Sequence, residues 1–207
     1  MQFKFPDRFF VTGTDTGVGK TYVCSLLAAG LDAHYWKPVQ SGSLDGLDSA
    51  WVREAAGLDQ TRIVPETYVF GRALSPHLAA GIEGIRIDID QFDLSDKPVT
   101  LIIEGAGGVM VPLNEDALVA DLIKKLAVPA VIVAPNRLGV INHTLLTIQA
   151  LKNADIFVLG VILNQGINND HKQAIERFGN VPVLGQLDNL DPVTRKVLKE
   201  KFNELFL

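Results

Sequence analysis

The sequence predicts an α/β fold, a mostly parallel central sheet of about seven strands with helices on both faces. Three observations lead there. Short β-rich runs alternate along the chain with helical patterns. Those runs are nearly continuous in apolar residues, as strands covered on both sides must be. A glycine-rich turn joins the first run to the first helix. The 207 residues suit one such domain, 1–207, with a sizeable core.

Strands are expected at Arg8–Thr12, His34–Lys37, Leu101–Glu104, Ala130–Ala134, Phe157–Asn164 and Val181–Leu184. Helices are expected at Lys20–Leu31, Asp48–Ala56, Pro76–Ile82, Leu118–Leu126, Asn142–Asn153, Asp170–Phe178 and Pro192–Phe206, with Asn142 and Pro192 as starting residues. Residues 57–98 are the least regular and are expected to hold short helices and an edge excursion, without a linker or second domain. The chain has no internal repeat or low-complexity tract.

Composition narrows the function classes. A hydrophobic fraction of 47% with 21% charged residues excludes disorder. Net charge is −5 without a block of like charges, which argues against a nucleic-acid surface. The best apolar run, Pro129–Pro135, is far short of the roughly 20 residues that span a bilayer and reads as a buried strand. The opening MQFKFPDRFF lacks the apolar segment and cleavage site of a signal peptide, so a cytoplasmic location is expected. The lone Cys24 lies in an apolar helical run and reads as a buried, inert thiol.

The run FFVTG leads into TDTGVGKT and then a helix. In such a loop the backbone N–H groups converge on phosphate oxygens, and the helix start adds partial positive charge. Gly17 and Gly19 let the backbone approach, Lys20 reaches the β- and γ-phosphates, and Thr21 offers a hydroxyl to Mg²⁺. This is a P-loop, and it predicts a P-loop NTPase fold using ATP and Mg²⁺. The usual pattern has four residues between its first glycine and GK, whereas five separate Gly13 from Gly19. Glu104 ends a buried strand at the edge where ligands bind and is the expected carboxylate on the metal side, directly or through water.

The second strand delivers Lys37 to the same edge as Lys20. Two lysines beside a γ-phosphate suggest that another anion is held there. Ser41 follows in a turn and is a candidate substrate contact, while Asp48 is either a helix cap or a further metal-side carboxylate.

GTDTGVGKT, KPVQSG, LDS, SPH, EGAGG and LGVINHT, in this order and followed by a strand ending in Asn164, resemble dethiobiotin synthetase over nearly the whole chain. EGAGG and the loop spacing also fit cobyrinate amidase-type relatives; KPVQSG and GVINH together narrow the resemblance. It implies that 7,8-diaminononanoate, CO₂ and ATP give dethiobiotin, ADP and phosphate, in biotin biosynthesis. It further implies Lys37, Lys20 and Thr16 as catalytic residues and Thr21, Asp48 and Glu104 as metal ligands.

For ATP the resemblance implies Gly17, Val18, Gly19, Lys20, Thr21, Tyr22, Asp48 and Glu104, with Gly105, Ala106 and Gly107 from the EGAGG turn. Asn164 and Gln165 are implied on the adenine side, flanked by Val181, Pro182 and Gln186, the last standing where some relatives carry Glu. For the diamine it implies Ser41, Thr16, Gly107, Gly108 and Val109. A helix opening at Gly139, Val140, Ile141 and Asn142 would take the substrate carboxylate on its free N–H groups. In the family that helix end comes from the neighbouring subunit, which implies a homodimer with sites at the interface.

Other features stay with ordinary packing. His34, His77, His143 and His171 lack metal-ligand spacing, and hydrogen bonding is expected for His77 and His143. Trp36 and Trp51 read as packing residues. Val193, Val197, Leu198, Phe202, Leu205 and Phe206 share one helical face, while the opposite face mixes acids and bases; packing on the sheet is expected rather than membrane binding. Membrane-switch relatives with this loop carry KGGVGKT, and Asp15 stands in place of their signature lysine.

Overall fold

The computed structural model describes residues 3–207; Met1 and Gln2, the start of the MQFKFPDRFF segment, lie outside the described residues. The strands are β1 (Arg8–Gly13), β2 (His34–Trp36), β3 (Val39–Ser41), β4 (Ile63–Val64), β5 (Tyr68–Phe70), β6 (Leu101–Gly108), β7 (Ala130–Pro135), β8 (Val158–Asn164) and β9 (Val183–Gln186). The helices are α1 (Lys20–Leu31), α2 (Asp48–Ala56), α3 (Pro76–Ile82), α4 (Val119–Leu126), α5 (Val140–Asn153), α6 (Asn169–Gly179) and α7 (Arg195–Phe206). Seven strands form one sheet in the order β4-β2-β6-β1-β7-β8-β9, and every neighbouring pair is parallel.

Alternation along each strand sends side chains to two separate cores. From β1, Phe9 and Val11 point to the face covered by α1, α2 and α7, where they join Val23, Val52 and Phe202. Phe10 points to the other face, with Ala79, Ile123, Ile148 and Ile175 from α3 to α6. The sheet is therefore apolar on both sides, which the nearly continuous runs required. All strand C-termini meet at one edge, and the glycine-rich loop leaves the central strand there.

Residues 57–98 hold the seventh strand. β4 pairs with β2 at the sheet edge, and β5 pairs in parallel with β3 in a separate two-stranded ribbon. These segments of two or three residues are too short to show periodicity. α4 at its start and α6 at both ends differ from the expected bounds by a single residue, and two helix starts differ by more. α5 begins at Val140, not Asn142, because Gly139 takes the left-handed conformation (φ 95°) of the capping position. α7 begins at Arg195, not Pro192, because the Thr194 hydroxyl accepts from the Val197 N–H.

The amphipathic C-terminal helix is seated by its apolar face, with Leu198, Phe202 and Phe206 buried. It packs mainly on α1, not on the sheet. No helix among the described residues is long and apolar enough to cross a membrane. The α1–α7 contact depends on Gly30, where a Cβ would lie 2.0 Å from the Phe202 ring. Gly30→Ala gains about 1 kcal/mol of helix propensity, but the overlap with an aromatic ring outweighs it. A net loss of roughly 1–2 kcal/mol is expected in urea denaturation.

Candidate active site

The phosphate loop is held from two sides. Gly19 adopts φ 90°, and a Cβ there would fall 2.1 Å from Asn164 Nδ2, so close contact with the end of β8 requires glycine. Asn164 Nδ2 donates to the Val18 carbonyl at 3.1 Å, and Gln165 Nε2 to the Gly17 carbonyl at 3.4 Å. Lys20 Nζ donates to the Asp15 carbonyl at 3.0 Å, within the loop itself. Burial lowers the Lys20 pKa below the ordinary lysine value, Glu104 opposing and Lys37 adding to the shift.

Glu104 is the centre of the polar network. Its side chain has no exposed surface, so its charge must be met by protein donors. Thr21 Oγ1 donates to Oε1 at 2.8 Å, Lys37 Nζ to Oε1 at 3.1 Å, and the Tyr35 hydroxyl to Oε2 at 2.8 Å. Lys37 also pairs with Asp48, the first residue of α2, whose N–H donates to Gln40 Oε1 at 3.3 Å. Burial works against the charge on Lys37, but Glu104 and then Asp48 more than offset it and raise the ammonium pKa. Burial, reinforced by Glu104, pushes the Tyr35 phenol well above its usual range, so Tyr35 serves as a donor. The same causes push up the buried Cys24 thiol, which makes it unreactive.

These groups open on one cavity of about 760 Å³, lined by Thr16, Gly17, Gly19, Lys20, Thr21, Lys37, Ser41, Asp48, Glu104, Ala106 and Gly107 among the expected site residues. Ser41 Oγ is buried on this wall without a partner among the described residues, as is Asn164 Oδ1 beside the loop. The cavity combines the ammonium groups of Lys20 and Lys37 with the carboxylates of Asp45, Asp48 and Glu104 and the hydroxyls of Thr16, Thr21, Ser41 and Ser75. Such a site can neutralise a polyphosphate while gripping a hard cation.

Other expected residues lie outside this cavity. Gly105 packs under Phe10, where a Cβ would be 2.6 Å from the ring, and Gly108 packs on the Gly13 carbonyl. Val109 is buried in the core, whereas Val111, at the end of the GGVMV loop expected to line the aliphatic part of the substrate, reaches the cavity. The Tyr22 hydroxyl accepts from Leu190 N–H at 3.0 Å and lies 3.3 Å from the Asp188 carbonyl, which ties α1 to the segment after β9.

Val181 and Pro182 must be moved. Val183 is in register with Val161 and Gln186 with Leu163, so Val181 and Pro182 precede β9 at the end of the sheet away from the phosphate loop. Only Gln186 stays on the ligand side. Its Oε1 accepts from Asn168 N–H at 2.8 Å and Asn136 Nδ2 at 3.2 Å, and its Nε2 donates to Asn169 Oδ1 at 3.0 Å. Gly139 and Val140 line a separate depression of about 110 Å³ with Asp15, Arg137 and His143; neither they nor Ile141 and Asn142 line the large cavity. His77 Nδ1 is buried without a partner, contrary to the hydrogen bond expected of it.

Tyr35 and Gln40 belong to the site as well, beyond the residues expected from the sequence. A signal existed for Tyr35: it stands two residues before Lys37, which places both on one face of an extended segment. Gln40 lies inside the quoted KPVQSG; its Nε2 donates to the Ser41 carbonyl at 2.8 Å, so it braces the end of β3, where Ser41 lies instead of in the expected turn.

Comparison with known proteins agrees with this geometry. The family described as AAA domain matches residues 7–197. ATP-dependent dethiobiotin synthetase BioD of Paramagnetospirillum magneticum is 48% identical over 187 residues, covering 89% of this chain and 89% of the relative. The chain belongs to the dethiobiotin synthetase family. Its counterpart in Rhodopseudomonas palustris strain TIE-1 is 44% identical over 199 residues, covering 96% of this chain and 94% of that one. The dethiobiotin synthetase family is one of ATP-dependent ligases, and the chain is accordingly an enzyme of biotin biosynthesis. Among solved structures, the MinC:MinD cell division complex of Aquifex aeolicus aligns with TM-score 0.56 at 16% identity over 94% of this chain and 88% of that one, a likeness of fold alone.

Removing Lys37 leaves two neighbouring carboxylates without their shared cation. Lys37→Met is expected to cost roughly 3 kcal/mol at pH 8, read from urea midpoints. Because the folded-state pKa of Lys37 is raised, its contribution is fully present below the ordinary lysine value of about 10.4. The gap between the two proteins should narrow as pH rises through Lys37's own higher value.

Proposed function

We propose that the chain is a single-domain enzyme that closes the ureido ring of dethiobiotin from 7,8-diaminononanoate, CO₂ and ATP. One observation carries the reading: Lys20 and Lys37 face the same cavity as Thr21, Asp48 and Glu104, beside the phosphate loop. An ordinary phosphate site has use for one such lysine. Two are needed where a second anion must approach the γ-phosphate against charge repulsion.

One substrate amine adds to CO₂, loses a proton and becomes a carbamate. A carbamate oxygen attacks the γ-phosphorus, the bond to ADP breaks, and a carbamic-phosphoric mixed anhydride forms. The second amine then attacks the carbonyl carbon, the C–O bond to phosphate breaks, and a second proton leaves as the ring closes. In this scheme Lys20 neutralises the transferring phosphoryl group and Lys37 bridges it to the carbamate, with Thr16 at their meeting point. The orphaned Ser41 hydroxyl supports a substrate hydrogen bond on the wall opposite the loop. The unpartnered Oδ1 of Asn164 supports acceptance of an amine proton from the adenine ring. Gln186, held by Asn136, Asn168 and Asn169, would shape the base pocket without reaching the phosphates.

The Thr21 hydroxyl and the Asp48 and Glu104 carboxylates are hard oxygen donors on one cavity wall and fit Mg²⁺. Bound there, Mg²⁺ would supply charge neutralisation at the β- and γ-phosphate oxygens. Lys37, now paired with both carboxylates, would turn its ammonium toward the anions that enter. The start of α5, at Gly139 to Asn142, opens away from the large cavity, and Gly139 offers no side-chain cap. That fits a role in a homodimer, in which each subunit lends this helix end to its neighbour for the substrate carboxylate. The acidic surface and the seated α7 support a cytoplasmic enzyme without nucleic-acid or membrane partners.

Purified protein given ATP, Mg²⁺, bicarbonate and 7,8-diaminononanoate should yield dethiobiotin by mass spectrometry, with ADP release dependent on the diamine. ADP release that ignores the diamine would sink the proposal. Lys37→Ala should lower kcat by about 10²-fold or more while ATP affinity by calorimetry changes little; unchanged kcat would remove Lys37 from the chemistry.

A further inference from the structure

We infer that Tyr35 is a positioning residue for the metal-side carboxylate: its buried hydroxyl holds Glu104 so that one oxygen, Oε1, is presented to the cavity. The inference rests on the proposed metal role of Glu104. It concerns a residue from outside the phosphate loop that does not line the cavity.

The two oxygens of Glu104 have different surroundings. Oε1 accepts from Thr21 Oγ1 at 2.8 Å and Lys37 Nζ at 3.1 Å, both of which line the cavity. Oε2 accepts from the Tyr35 hydroxyl at 2.8 Å, its one oxygen or nitrogen donor among the described residues, with the buried Cys24 thiol beside the carboxylate as a weak sulfur donor. Tyr35 is fully buried, and its ring belongs to the core under α1 and α2. Its backbone pairs with Ile102 on one side and Ile63 on the other, inside the sheet. The phenol is thus anchored along its whole length and cannot follow Glu104 if the carboxylate turns.

The consequence is a fixed carboxylate plane. A carboxylate with one oxygen bonded to a rigid donor presents the other in a single direction and is biased towards one-oxygen coordination. That suits a small cation that demands near-octahedral geometry and keeps several waters. Without Tyr35, Oε2 would be left with at most the weak Cys24 S–H, and the carboxylate would be free to rotate towards Lys37 and Thr21. Tyr35 also aligns with Lys37 on one face of the extended segment, so one stretch of chain supplies the cation beside Oε1 and the donor to Oε2.

Tyr35→Phe keeps the ring and removes only the hydroxyl. Mn²⁺ binding to the ADP-loaded protein, followed by electron paramagnetic resonance, reads the site without turnover. The dissociation constant should rise about tenfold or more, with metal-free ADP affinity within about twofold of the parent. Tyr35→His, which retains a ring N–H donor, should recover part of the loss. A rise of less than about threefold, or tighter binding, would overturn the inference. If Tyr35→Phe fails to fold, 3-fluorotyrosine in the unsubstituted chain gives a second reading, with Tyr22 and Tyr68 assigned by phenylalanine substitution. The Tyr35 fluorine resonance should shift when Mg²⁺ joins the ADP complex, and an unmoved resonance would overturn the inference. The two proposals fail separately. Absence of dethiobiotin from the unsubstituted chain sinks the reaction, whereas an unchanged metal constant in an active protein sinks only the role of Tyr35.

Discussion

A carboxylate with no exposed surface is the constraint on which the site depends. Glu104 lies on β6, next to the central strand, where its charge is tolerable only if donors surround it. Those donors come from three directions: Thr21 from α1, Tyr35 from β2 and Lys37 from the turn after β2. None can be displaced without exposing an unmet charge in a low-dielectric interior. The requirement locks the start of the phosphate helix to two neighbouring strands. Asp48 extends the lock to α2 through Lys37. The geometry of the cavity follows from meeting that one buried charge.

Much of this was legible in the sequence because it rests on strong local signals. The bounds of α1, α2 and α3 coincide with expectation: each follows a glycine-rich or short polar loop, and each begins at a residue suited to a first turn. The buried strands announced themselves as apolar runs bounded by turns. The two lysines and Glu104 could be placed on one edge because parallel strands bring their C-termini together. What the sequence carried was direction and alternation, and these suffice to bring the site together.

The remainder depended on pairings between distant segments. β4 is two residues long and exists only because β2 offers it an edge. The family resemblance puts Val181 and Pro182 beside the base, but the register with β8 sets them before β9, at the end of the sheet away from the phosphate loop. The start of α5 turns on a positive φ at Gly139, while Asn142, three residues on, looks like the better starting residue. Tyr35 was passed over because an aromatic residue in an apolar run reads as core. Its ring is core, and only its hydroxyl belongs to the polar network.

The position of β1 in the middle of the sheet bears on how the protein is made. Its partners are β6, through Phe9 with Ile102, and β7, through Phe10 with Ala130. During synthesis the first strand therefore emerges long before either neighbour exists, and closing such loops is entropically slow. Until about the first half of the chain has left the ribosome, the strand that bears the glycine loop has apolar faces and no ladder to join, and its second neighbour follows later still. The part of the molecule written first is among the last to be secured, and that interval is when a chaperone or a misplaced neighbour has its opening.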